Sequence, residues 1–157
     1  MKNKQLRKWA LSAELISAIA VIITLVFLVL GMKENTNALQ AQTFQELMRQ
    51  TNEWRASITE PSVVTLRDKW REQGFQSLTR IEQQQLRTTN HVLWGIYESA
   101  YFANERGVLG SEEWIRFESA ICRQREQDVD YWEYEPLASF SDSLTPRFAE
   151  YIESSCS

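Results

Sequence analysis

LISAIAVIITLVFLVLGM, residues 15–32, runs for eighteen positions without a charged side chain. An α-helix rising ~1.5 Å per residue covers ~27 Å over that length, close to the ~30 Å hydrocarbon thickness of a bilayer. The apolar core of a secretory signal peptide is shorter, ~7–15 residues, and leads to a small-residue cleavage site. This run leaves instead through Gly31-Met32-Lys33 into Glu34-Asn35-Thr36-Asn37, and Ala41 would make a poor −1 cleavage residue. A core helix of this hydrophobicity would be unusual in so small a protein. The expectation is therefore an uncleaved transmembrane helix, with the lipid bilayer as one partner of the chain.

Reading outward, Lys2, Lys4, Arg7 and Lys8 precede the run, whereas Lys33 is the one basic residue among the first sixteen positions after it. Flanking lysine and arginine are retained on the cytoplasmic side of a span, so this imbalance favours a cytoplasmic N-terminus. Trp9 falls at the boundary, where an indole meets lipid with its ring and water with its N–H. The expected organisation is a basic tail over residues 1–9, a transmembrane helix over 10–32 and a soluble domain over 33–157. Glu14, six positions after Lys8, reaches the headgroup region on the simplest reading. A sharper reading places Ala10, Glu14, Ser17 and Ala18, with Ala20, on a seam of small and polar residues where spans associate. That reading makes the chain a homo-oligomer.

The soluble portion suffices for one compact domain rather than two. Without Lys2, Lys4, Arg7, Lys8 and Glu14, the 17 basic and 21 acidic residues become 13 and 20, a net charge of −7. Such a domain repels phosphate backbones, which argues against general nucleic-acid binding. It is also repelled by an anionic membrane surface. Cys122 and Cys156 fit no metal-ligand spacing. They could pair in an oxidising compartment, but with Cys156 in a terminal tail the default expectation is two unpaired thiols.

The domain is rich in Glu, Gln, Arg, Ala and Leu, shows no alternating run suited to a sheet, and carries helix punctuation throughout. Leu39, Phe44, Leu47, Met48, Trp54 and Ile58 recur at three- and four-residue steps and predict an amphipathic helix from about Thr36 to 58. Nothing between Met32 and Thr36 breaks a helix, so this one can continue directly from the span. Pro61 suits a first helical position, and a short helix with Val63, Leu66 and Trp70 should end at Gly74. Thr79-Arg80-Ile81-Glu82 is a capping box opening a long helix to about Arg106, stopped by Gly107. Ser111 should cap the next, with Glu112 and Glu113 at the positive end of its dipole and Trp114, Phe117, Ile121 and Cys122 along it to about Gln127. Thr145-Pro146 opens a last helix bearing Phe148, Tyr151 and Ile152. The fold class is all-α: a single N-terminal transmembrane helix followed by a small antiparallel helical bundle.

Three segments together resemble a widespread group of small bacterial single-pass membrane proteins. They are Glu34–Leu39 (ENTNAL), Tyr97–Trp114 (YESAYFANERGVLGSEEW) and Tyr131-Trp132 before a short terminal helix. The resemblance covers nearly the whole chain and implies an all-α domain on a membrane anchor, in the cytoplasmic membrane of a bacterium. It implies no activity. This chain departs from the group in carrying fewer basic residues just after the span.

Chemistry-bearing patterns are sparse. His91 is the one histidine, so a histidine-rich metal site or a Ser-His-Asp relay would have to be built around it, and a partly buried structural role is expected. Glu98 and Glu105 share a helix face seven residues apart, but without Glu-x-x-His companions they read as solvent-facing charges. Gly107-Val108-Leu109-Gly110 has neither the GxGxxG pattern nor a P-loop lysine and reads as a turn between helices. The Arg67–Arg71 cluster reads as solvated. No catalytic residue, metal or cofactor is expected.

Trp54, Trp70, Trp94, Trp114 and Trp132 occur about once per helix or connection, which suits an aromatic core. The alternative is a pocket in which Trp94, Tyr97 and Tyr101 are rimmed by Arg123 and Arg125, suited to a small planar anion. Two functions follow. The first is a non-enzymatic, self-associating interaction or scaffold module on the membrane. The second is a ligand-sensing membrane effector, for example one gated by a nucleotide second messenger, which requires the domain in the cytoplasm.

Overall fold

A computed structural model describes residues 2–127 and 144–156, with side chains at 14 and from 16 onward. The described residues form five α-helices and one 3-10 turn, and no strand occurs among them. The helices are α1 (Lys2–Ile58), α2 (Pro61–Gln73), α3 (Arg80–Glu105), α4 (Ser111–Gln127) and α5 (Pro146–Ser155). The chain divides into two compact units, Met1–Leu39 and Gln40–Ser157, and α1 supplies residues to both.

The first unit is helix alone. Every described side chain from Ile16 to Leu39 is exposed, including Phe27 at 70% and Val29 at 63%. Among the described residues, α1 is the one helix long and apolar enough to cross a membrane. Its mid-run hydroxyl is already satisfied: Thr24 Oγ1 donates to the Ala20 carbonyl at 2.9 Å. In hydrocarbon an unsatisfied hydroxyl costs several kcal/mol, on the order of a lost hydrogen bond or more, and this internal bond removes that cost.

In the second unit α3 is the central element. Leu86, Asn90, Leu93, Trp94, Ile96, Tyr97, Ala100, Tyr101 and Ala103 are all buried. Their three- and four-residue spacing wraps an apolar surface around most of the helix, so α3 packs against α2, α4 and other elements at once. Trp94, Phe148, Leu86, Leu93, Ile121 and Ile152 are the largest fully enclosed side chains. Trp70 is buried and Trp54 and Trp114 are half-buried, while Trp132 lies outside the described residues.

Local signals set the helix boundaries. Pro61 stands in the first turn of α2, and Gly74 ends it with φ 79°. The capping box forms: Glu82 N–H donates to Thr79 Oγ1 at 3.3 Å and Thr79 N–H donates to Glu82 Oε2 at 2.7 Å. Gly107 has φ 68°, and the bonds Val108 N–H to Ala103 O and Gly107 N–H to Asn104 O, both 2.9 Å, make a Schellman ending for α3. One boundary differs from expectation. Ser111 is the first residue of α4 rather than its cap, and the Gly110 carbonyl accepts the opening bond from Trp114 N–H at 2.9 Å. Phe75 and Leu78, in and after the 3-10 turn, are also buried, and Gln83 Nε2 donates to both their carbonyls.

Glu98 and Glu105 do not simply face solvent. Glu98 Oε1 accepts from the Thr145 N–H at 2.6 Å, and Glu105 forms an ion pair with Arg147. Their seven-residue spacing therefore docks the start of α5 onto α3. Aromatic contacts lock the same helix. Tyr101 lies 4.8 Å from Tyr151 and 5.4 Å from Phe148, centroid to centroid, and Trp114 lies 5.8 Å from Tyr151. Burial, with the Glu118 carboxylate that accepts from the Tyr151 hydroxyl at 2.7 Å, raises the Tyr151 phenol above its ordinary range.

Cys122 and Cys156 are joined in a disulfide, with Cα atoms 4.9 Å apart. The expectation of two unpaired thiols is thus corrected. α5 returns along α4, with Tyr151 bonded to Glu118 one turn before Cys122, and this carries Cys156 to within bridging distance.

Lys69 departs from the expected solvated cluster: its Nζ contacts both oxygens of Glu82 at 2.8 Å, tying α2 to the start of α3. The Lys69 hydrogen bond, with Thr79 N–H, lowers the Glu82 pKa from 4.5 to about 2. A carboxylate depressed on folding contributes stability above its unfolded pKa and loses it as pH falls through the folded one. Acid titration of wild type against Glu82→Gln should therefore show the wild-type advantage intact above pH 4.5 and vanishing by about pH 2. A gap that persisted below pH 2 would refute the assignment.

Candidate functional site

Among the described residues, three concavities open in the second unit. One is a groove of about 820 Å³ between α1 and α3. Trp54, Ile81 and Val92 give it apolar surface, Gln84, Gln85 and Thr88 give it polar groups, and Arg80 is its cation. It adjoins a second hollow through the shared residues Trp54, Ser57 and Val92. The Trp54 ring is fixed by its Nε1–H, which donates to the Thr89 carbonyl at 2.9 Å. Ile81 is 81% exposed and Val92 51%, so apolar side chains stand uncovered along this groove.

The smaller cavity, about 190 Å³, lies where α1, α3 and α4 meet. Phe44, Met48, Thr51 and Arg55 reach it from one face of α1, Tyr97 from α3, and Arg116, Phe117 and Ala120 from α4. The steps 44, 48, 51 and 55 are those of a single helical stripe. Among the described residues no carboxylate lines this cavity. Among the described residues neither Arg55 nor Arg116 forms an ion pair.

The residues singled out in the sequence fall as follows. Trp94 is fully enclosed, with its ring edge-on to Tyr97 at 5.5 Å, and Tyr101 is buried in the aromatic contacts to α4 and α5. Trp94 and Tyr101 thus pack as core, and neither lines the groove or the cavity. Tyr97 does line the smaller cavity, but the arginines beside it there are Arg55 and Arg116. Arg123 is exposed, two helical turns beyond Arg116 on the same face of α4, and Arg125 is half-buried. Glu14, Ser17 and Ala18 are exposed on α1; Ala10 belongs to the same helix, and its side chain lies outside the described set. His91 is half-buried on α3. Among the described residues no group of three or more His, Cys, Asp or Glu is placed to hold a metal ion.

Arg55 and Arg116 escape a reading based on sequence neighbours, because one belongs to α1 and the other to α4. The available signal is periodicity: Arg55 ends the stripe begun by Phe44, and Arg116 stands beside the buried Phe117.

No family model matches the chain, and no curated protein or solved structure compared with it matches either.

Proposed function

We propose that this protein is a single-pass, non-enzymatic interaction module, anchored in the cytoplasmic membrane of a bacterium, with its globular unit on the oxidising side. The observation that carries this reading is the Cys122–Cys156 disulfide on a chain that also bears an uncharged run long enough to span a bilayer. Disulfides persist in oxidising compartments and are rare where thiols are kept reduced. The four basic residues before the run and the single lysine just after it favour the same direction. Two unrelated physical effects, redox chemistry and insertion electrostatics, thus support one orientation.

Self-association through Ala10, Glu14, Ser17 and Ala18 completes the proposal. These positions recur at three- and four-residue steps on α1, the arrangement that lets helix backbones approach closely in lipid. The cytoplasmic nucleotide-sensor alternative is less well supported. The disulfide disfavours its compartment. The cavity that joins aromatic walls to two arginines holds about 190 Å³, below the ~300 Å³ at which pockets for larger ligands begin.

Paired C-terminal reporters test the reading: alkaline phosphatase, which folds only outside the cytoplasm, and a fluorescent protein active only inside it. The expected result is an active phosphatase fusion and a dark fluorescent one, with crosslinked dimers or larger species in the membrane fraction. The reverse pattern of activities would overturn the orientation.

A further inference from the structure

We infer that the cavity between α1, α3 and α4 is a binding site for a small aromatic monocarboxylate. This inference rests on the globular unit and not on the membrane orientation. Three properties of the cavity select the ligand. Its walls are Phe44, Met48, Tyr97, Phe117 and Ala120, so the body of the ligand is apolar, and aromatic and thioether surfaces favour a ring. Its size is about 190 Å³. A dry apolar cavity of roughly 150 Å³ accepts benzene, so this hollow has room to seat a six-membered ring with one small substituent.

Charge fixes that substituent. Arg55 and Arg116 both line the cavity, and among the described residues neither is neutralised by an acid. In a soluble portion of net charge −7, two guanidiniums beside one cavity, with no carboxylate among its described lining and no acid partner among the described residues, are a local inversion of sign. A planar carboxylate matches the guanidinium fork and accepts two N–H groups side by side. Inorganic phosphate would meet the arginines but leave the aromatic walls uncovered. Thr51 supplies no donor to the ligand, because its hydroxyl already donates to the Leu47 carbonyl at 2.8 Å. The arginines therefore carry the recognition of charge, and the α1 and α4 stripes carry the recognition of shape.

The test uses the full chain in zwitterionic phosphocholine nanodiscs, with 4-fluorobenzoate as probe and ¹⁹F line broadening as readout against empty nanodiscs. The neutral isostere 4-fluorobenzyl alcohol separates charge recognition from partition into lipid or apolar surface. Expected is saturable binding of 4-fluorobenzoate, with the alcohol at least tenfold weaker. Arg55→Gln and Arg116→Gln should each weaken binding about tenfold, consistent with loss of one charge-assisted contact. Both side chains are exposed, so these variants leave the core untouched. Arg123→Gln, two turns away on α4, should bind as wild type does. Ala120→Leu keeps both charges but occupies the space, and should abolish binding. Absence of saturable binding, equal affinity for the alcohol, or indifference to both arginine substitutions would each overturn the inference.

Discussion

Alanine in place of Trp94 is expected to destabilise the globular unit by about 3–5 kcal/mol, the range for truncating a large buried aromatic. Trp94 is 0% exposed, sits midway along the central helix and packs edge-on against Tyr97. Its loss removes the transfer free energy of the indole and leaves a cavity bounded by α3 residues that other helices hold in place. The core cannot close over that gap without moving several elements together. Denaturant unfolding of the full chain in detergent, followed by far-UV circular dichroism, measures the effect. A cost below about 1 kcal/mol, the scale of an ordinary surface change, would show that Trp94 is not at the centre of the core.

Removing the disulfide is the second large effect. The two cysteines are 34 residues apart in sequence, and closing a loop of that size lowers the entropy of the unfolded chain by an amount worth about 3–4 kcal/mol. For a unit the size of residues 40–157 that loss corresponds to a drop in Tm of about 10–20 °C. The full chain should therefore melt markedly lower in the presence of reductant. Cys122→Ser and Cys156→Ser should melt at the reduced wild-type temperature and show no response to reductant. Equal melting of oxidised and reduced wild type would contradict the stabilising role of the bond.

The helix boundaries were largely legible because they are set by short-range physics. Pro61, Gly74, the Thr79–Glu82 box and Gly107 act within a few residues of themselves, and each appears in the structure at the expected helix end. Pairings between distant segments were not legible. The role of Cys156 depends on α5 returning along α4, and that return is fixed by contacts between distant segments: Glu98 and Glu105 on α3, the Tyr101–Tyr151 contact and the Tyr151–Glu118 bond. The proposed arginine–aromatic pocket shows the same limit. Tyr97 lines a cavity, and Arg123 shares a helix face with the arginine that lines it. Helix periodicity gives a face but not a depth along it, so Arg116 and the α1 contributor Arg55 could be found only once the helices were packed together.

The proposed direction of the uncharged run at residues 15–32 rests on the disulfide and on the four basic residues before it. The account is therefore tested most directly by the redox state of Cys122 and Cys156 in the cell. Intact cells are quenched in acid, the protein is denatured, and free thiols are labelled with a polyethylene-glycol maleimide that retards the protein once per thiol on a gel. An unshifted band without reductant and a doubly shifted band after reduction are predicted, as for a bonded pair in an oxidising compartment. A doubly shifted band before any reductant is added would contradict both the bond and the orientation drawn from it.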